Sequence, residues 1–74
     1  MVYAAVDVGT NSIRLLIGEV VKGKINPLYR DLKTTRLGEG VKESNQLKKA
    51  AIKRTIESLK GFSGALNNFK PDRI

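Results

Sequence analysis

The chain has no cysteine, no histidine and no tryptophan. Without cysteine there is no disulfide framework and no thiolate metal site, and without histidine neither a histidine-bound zinc site nor imidazole-based catalysis is available. Aromatic residues are scarce: two Tyr and two Phe in 74 residues, with no aromatic and basic interleaving of the kind that stacks bases. A dedicated nucleic-acid module is therefore a disfavoured reading. No apolar run approaches the roughly 20 residues needed to cross a bilayer, and no basic leader followed by a long apolar segment opens the chain. The expectation is a cytoplasmic protein without a membrane partner.

Acidic side chains are also in short supply, with seven Asp and Glu against fourteen Lys and Arg, a net charge of +7. The excess is spread evenly, so no basic tail stands out. Such a balance favours polyanionic partners by long-range attraction. A chain of this length is at most one small domain, and near this size only about 60% of the surface of the unfolded chain is buried on folding. Marginal stability follows.

The most informative feature that is present is the run Asp7-Val8-Gly9-Thr10-Asn11-Ser12-Ile13-Arg14-Leu15, directly after the apolar segment Tyr3-Ala4-Ala5-Val6. A short apolar strand ending in a carboxylate brings Asp7 to a sheet edge, where it can meet a hydrated Mg2+ or a polar phosphate group. Gly9 permits a tight turn and a close backbone approach. The amides from Gly9 to Ser12, with the side chains of Thr10, Asn11 and Ser12, form a concave donor set suited to phosphate oxygens. Taken alone, the same residues also make an ordinary hairpin turn.

Val2 to Val6 is continuously apolar, as in a strand covered on both faces, and in the run Ser12 to Val21 the residues Ile13, Leu15 and Ile17 share one side. Lys22-Gly23-Lys24 closes a hairpin, and Pro27 marks the next strand as an edge or an irregular start. The reading is three antiparallel strands, 2–8, 12–21 and 25–35. A helix then covers about 45–68, capped by Ser44 or Asn45, with Leu47, Ala51, Ile52, Thr55, Ile56, Leu59, Phe62, Leu66 and Phe69 on one half of the wheel. Gly61 and Gly64 each weaken it by up to about 1 kcal/mol and place a candidate break after Lys60.

The string from Asp7 to Val20 resembles the phosphate motif of the exopolyphosphatase and guanosine pentaphosphate phosphohydrolase (Ppx/GppA) family. A second match, Thr35-Arg36-Leu37-Gly38-Glu39-Gly40-Val41, is similar to a loop of that family, and Ala50 to Leu59 resembles its next helix. The resemblance implies an α/β fold: the βββα N-terminal part of an actin-like, ribonuclease H-like domain, incomplete as it stands, in which the helix leads to a fourth strand parallel to the first that is missing here, with Phe69 to Ile74 as its lead-in. It also implies a parent hydrolase that removes terminal phosphate from inorganic polyphosphate or guanosine pentaphosphate with a divalent cofactor, Mg2+, at Asp7, and it leaves room for a homo-oligomeric parent. Phosphate contacts carried over are Gly9, Thr10, Asn11, Ser12, Arg14 and Arg36, with Glu39 a weaker candidate. Arg14 either forks a phosphate or faces a neighbouring carboxylate. The general-base glutamate of the family matches none of Glu39, Glu43 and Glu57, so it is expected beyond Ile74, and the 74 residues alone are expected to be inactive. Two other readings stay open. One is the nucleotide-binding lobe of another actin-like kinase or ATPase; the other is a short basic polyanion binder.

Overall fold

The computed structural model describes all residues from Met1 to Ile74. Three antiparallel strands, β1 (Val2–Val8), β2 (Ser12–Val21) and β3 (Lys24–Thr34), lie in the order β1-β2-β3. The β2–β3 connection is a two-residue turn in which Lys22 (φ 50°) and Gly23 (φ 76°) are both left-handed, as a hairpin that follows the strand twist requires. Lys24 therefore belongs to β3, paired with Val21, and Thr35 has left the strand. Pairing slips between Ile17 and Gly18: Ile17 faces Tyr29 but Gly18 faces Pro27, so Leu28 is the extra residue of a bulge. Proline is tolerated here because β3 is an edge strand.

Where one continuous helix was expected over 45–68, the chain forms three pieces: α1 (Val41–Ser44), α2 (Lys49–Lys60) and α3 (Ser63–Phe69). The expected cap residues close α1 instead of opening α2. Ser44 Oγ donates to the Gly40 carbonyl at 2.9 Å, and Asn45 ends the turn in the left-handed region at φ 61°. Lys48 precedes α2 with no side-chain cap. After Lys60, the Phe62 amide donates to the Leu59 carbonyl, and this tighter turn separates α2 from α3.

The core lies on one face of the sheet. Ala4, Ile13, Leu15 and Ile17 pack against Phe62, with Val2, Leu59, Ala65 and Leu66 closing around them. The buried seam is narrower than the half wheel expected: Ala51 and Thr55 are buried, whereas Leu47, Ile52 and Ile56 remain exposed. Thr55 can sit inside because its hydroxyl donates to the Ala51 carbonyl at 2.8 Å. The other face of the sheet carries no helix, so β1 is covered on one face and not on both. Tyr3 and Ala5 are exposed there, and Leu16 is half-buried.

After α3 the chain returns to the outer edge of β1. Asp72 donates its amide to the Val2 carbonyl at 2.7 Å, the Val2 amide donates to Asp72 Oδ2 at 2.8 Å, and Ala4 donates to the Arg73 carbonyl at 2.9 Å. Arg73 pairs in parallel with Tyr3, the direction expected of a fourth strand.

Candidate phosphate cleft

The turn between β1 and β2 is three residues long, Gly9 to Asn11. It is closed by the Gly9 amide donating to the Ser12 carbonyl at 2.9 Å. A Cβ on Gly9 would lie 3.1 Å from that oxygen, so glycine allows the tight closure. The Thr35–Glu39 loop docks on this turn through three backbone bonds. Thr35 and Arg36 both donate to the Asn11 carbonyl, at 3.0 and 2.9 Å, and Gly38 donates to the Thr10 carbonyl at 2.7 Å. Gly38 has to be a glycine, because a Cβ there would stand 2.9 Å from Thr10 Cβ.

The two segments enclose a shallow cleft lined by Thr10, Asn11, Arg36, Gly38 and Glu39. The carbonyls of the turn are taken by the loop, while the amides of Thr10 and Asn11 donate no hydrogen bond within the chain. The side chains of Thr10, Asn11 and Arg36 are exposed and make no hydrogen bond or ion pair. Arg36 has a left-handed backbone, φ 49°. For a long side chain this conformation costs on the order of 1 kcal/mol, and the bonds around it hold it. The residues that line this open site thus carry two free amides, a hydroxyl, a carboxamide and a guanidinium, a donor set for an anion.

Glu39 supplies the one carboxylate in the wall. Its Oε2 accepts from Arg54 Nη2 at 2.9 Å. That hydrogen bond, then the charges of Lys48, Arg36 and Arg54, hold its carboxyl below the usual carboxylate value.

Gly9, Ser12, Asp7 and Arg14, also expected at the site, do not line the cleft. Ser12 is half-buried at the start of β2. Asp7 and Arg14 are cross-strand partners on the uncovered face, yet form no ion pair. Arg14 borders a separate groove with Leu16, Arg30 and Leu32. No set of three Asp or Glu side chains gathers anywhere to hold a metal by protein ligands alone. Arg54, which reaches the loop from α2, stood out in the sequence only as part of the Ala50 to Leu59 resemblance; its contacts were not readable, because its partners lie 15 to 19 residues away along the chain.

No helix is long and apolar enough to cross a membrane. Comparison with known proteins matches residues 16–74 to the Ppx/GppA phosphatase family. The chain is 41% identical over 71 residues to the bifunctional 3-dehydroquinate synthase/phosphatase of Fusobacterium nucleatum, covering 89% of this chain and 11% of that protein. It is 36% identical to exopolyphosphatase 2 of Mycobacterium tuberculosis, covering 96% of this chain and 24% of the relative. Among solved structures, the Ppx/GppA phosphatase of Aquifex aeolicus superposes with a TM-score of 0.91 at 34% identity, over 99% of this chain and 24% of that one. An exopolyphosphatase from Cytophaga hutchinsonii gives 0.89 at 25% identity, over 99% and 23%. The chain therefore spans about a quarter or less of the length of these relatives. Its strands and helices are the βββα part of an actin-like α/β domain. By sequence and by fold, the chain belongs to the Ppx/GppA phosphatase family.

Proposed function

We propose that the cleft seats the terminal phosphate of inorganic polyphosphate or of guanosine pentaphosphate, as part of a phosphohydrolase. The observation that supports this most directly is the pair of unengaged amides at Thr10 and Asn11, two residues that line the same cleft as Arg36. Donors fixed in place before the ligand arrives need little reorganisation when negative charge develops on phosphoryl oxygens. The net charge of +7 draws polyanions toward the site. The names of the relatives, an exopolyphosphatase and a synthase/phosphatase, agree with phosphate-ester or phosphoanhydride hydrolysis.

Asp7 fits Mg2+ only as a single carboxylate anchor. Mg2+ commonly keeps several waters and is held by one or two carboxylates together with substrate phosphates, so a lone Asp two residues ahead of the Gly9–Asn11 turn suits that mode. The ion would supply charge neutralisation at the phosphate oxygens. Glu39 is tied to Arg54, which lowers the proton affinity of its carboxyl and makes it a poor group to take a proton from attacking water. We assign the general base to a glutamate outside these residues, and expect the 74-residue chain to bind phosphate without turning it over.

The test is phosphate release from polyphosphate and from guanosine pentaphosphate by the longer polypeptide carrying this segment, followed by product chromatography. Release of orthophosphate from either substrate is expected. If both substrates stay intact while the protein is folded and Mg2+ is present, the reading is wrong.

A further inference from the structure

Arg54 does not line the cleft, but it grips the loop that forms one wall of it. From the middle of α2 its guanidinium meets three acceptors on one short stretch of chain. Nε donates to the Thr35 carbonyl at 2.9 Å, and Nη2 donates to the Arg36 carbonyl at 3.3 Å and to Glu39 Oε2 at 2.9 Å. On its other side the same stretch donates the amides of Thr35, Arg36 and Gly38 to the turn. The loop is thus held between the phosphate turn and α2, with Arg36 fixed in its left-handed conformation between them.

We propose that Arg54 is a positioning residue: it holds the Thr35–Glu39 loop, and through it the Arg36 guanidinium, at the spacing from Thr10 and Asn11 that phosphate recognition requires. This rests on the reading of the cleft as a phosphate seat. Only arginine suits the task, because its planar fork presents several donors in fixed directions, whereas a lysine ammonium is a point charge on a flexible stem. The arrangement also accounts for a carboxylate in the wall of an anion site. Left alone, Glu39 would repel phosphate. Paired with Arg54, it serves as an anchor for the guanidinium, and its charge is locally balanced. The side chains of the pair are about a third exposed, at 36% and 37%, so the contact matters for geometry more than for stability.

The experiment uses the 74-residue chain and inorganic tripolyphosphate, followed by amide NMR at low temperature. Variants are Arg54→Lys, Arg54→Ala and, as a control on the neighbouring solvent-facing position, Lys53→Ala. Positioning predicts that Arg54→Lys, which leaves the net charge unchanged, weakens binding roughly tenfold, nearly as much as Arg54→Ala. Both should also lose hydrogen-exchange protection at the Arg36 and Gly38 amides. Lys53→Ala should change binding less than threefold, an allowance for one screened surface charge, and leave that protection intact. Equal losses for Lys53→Ala and Arg54→Ala, with Arg54→Lys like the parent, would mean diffuse charge and overturn the proposal. Unfolding of both Arg54 variants, seen as collapse of the Ile13, Leu15 and Ile17 amide dispersion, would overturn it as well, making Arg54 a folding residue. If the parent chain does not bind tripolyphosphate, the phosphate reading fails by itself. Loss of protection in Arg54→Lys would then still support the loop-holding role, and unchanged protection would reject it.

Discussion

At the scale of single residues, the donors that hold no partner within the chain are the ones whose removal should be felt in binding. Asn11→Ala is expected to weaken phosphate binding by about 1.5 to 3 kcal/mol, the range for hydrogen bonds to charged groups. Ser12→Ala, set back from the cleft lining, should cost less. Titration calorimetry with tripolyphosphate, with Lys53→Ala as the charge control, measures both. Gly38→Ala acts differently, since the added methyl would press on Thr10 Cβ at 2.9 Å and push the loop off the turn. It should reduce binding while leaving the core melt almost unchanged. A residue outside the cleft gives the opposite sign. Thr35 is buried at 1% exposure, and its hydroxyl has no hydrogen-bond partner. Thr35→Val keeps the shape and removes the stranded group, so it should stabilise the fold by about 1 kcal/mol, read from thermal or urea melts.

The elements show which parts of the fold the sequence could reveal. Strand β2 and the turn at Gly23 were legible because period-two alternation and a left-handed turn glycine are local properties, written within a few residues; β1 was legible as a short apolar run, but its continuous apolarity wrongly implied cover on both faces. The start of α2 was not. It opens on Lys48 and Lys49 with no acidic residue in the first turn and no side-chain cap, against the preference of a helix N-terminus. The better capping residues, Ser44 and Asn45, are used to end α1. Gly61 and Gly64 did signal the break between α2 and α3. Gly64 has open space where a side chain would go and sits in a helix, so Gly64→Ala should stabilise by about 0.4 to 1 kcal/mol in a melt. The site was legible as two motifs but not as one cleft, because the docking of Gly38 on Thr10 and the reach of Arg54 are contacts between distant segments that no periodicity encodes. The loop has a pH dependence of definite sign. Since the folded Glu39 carboxyl titrates below the ordinary value of 4.5, the Glu39 contact of Arg54 is fully present above that pH and is weakened as pH falls through the lowered value, while the two carbonyl acceptors are unaffected. The Glu39 side-chain and Gly38 amide shifts should follow one titration with a midpoint below 4.5, and Arg54→Lys should move that midpoint upward.

At the scale of the whole molecule, 9 of 74 residues are buried, and the chain extends 48 Å along its longest axis and only 16 Å along its shortest. The β2–β3 hairpin accounts for much of this openness, since every residue from Val21 to Arg30 is exposed. One bare sheet face and a β1 edge paired only at Val2 to Ala4 invite association with other copies. The isolated chain should melt at a low temperature that rises with concentration, and sedimentation should show self-association. A sharp, concentration-independent melt of a monomer would contradict this. The return of the chain to β1 has a consequence in time. The Val2 amide and the Asp72 carboxylate are 70 residues apart in sequence, so on a ribosome adding about 5 to 20 residues per second the outer edge of β1 waits on the order of 4 to 14 s for its neighbour. During that interval the first strand exposes a pairing edge to every other nascent chain nearby, and the interval in which it needs protection is set by the speed of translation.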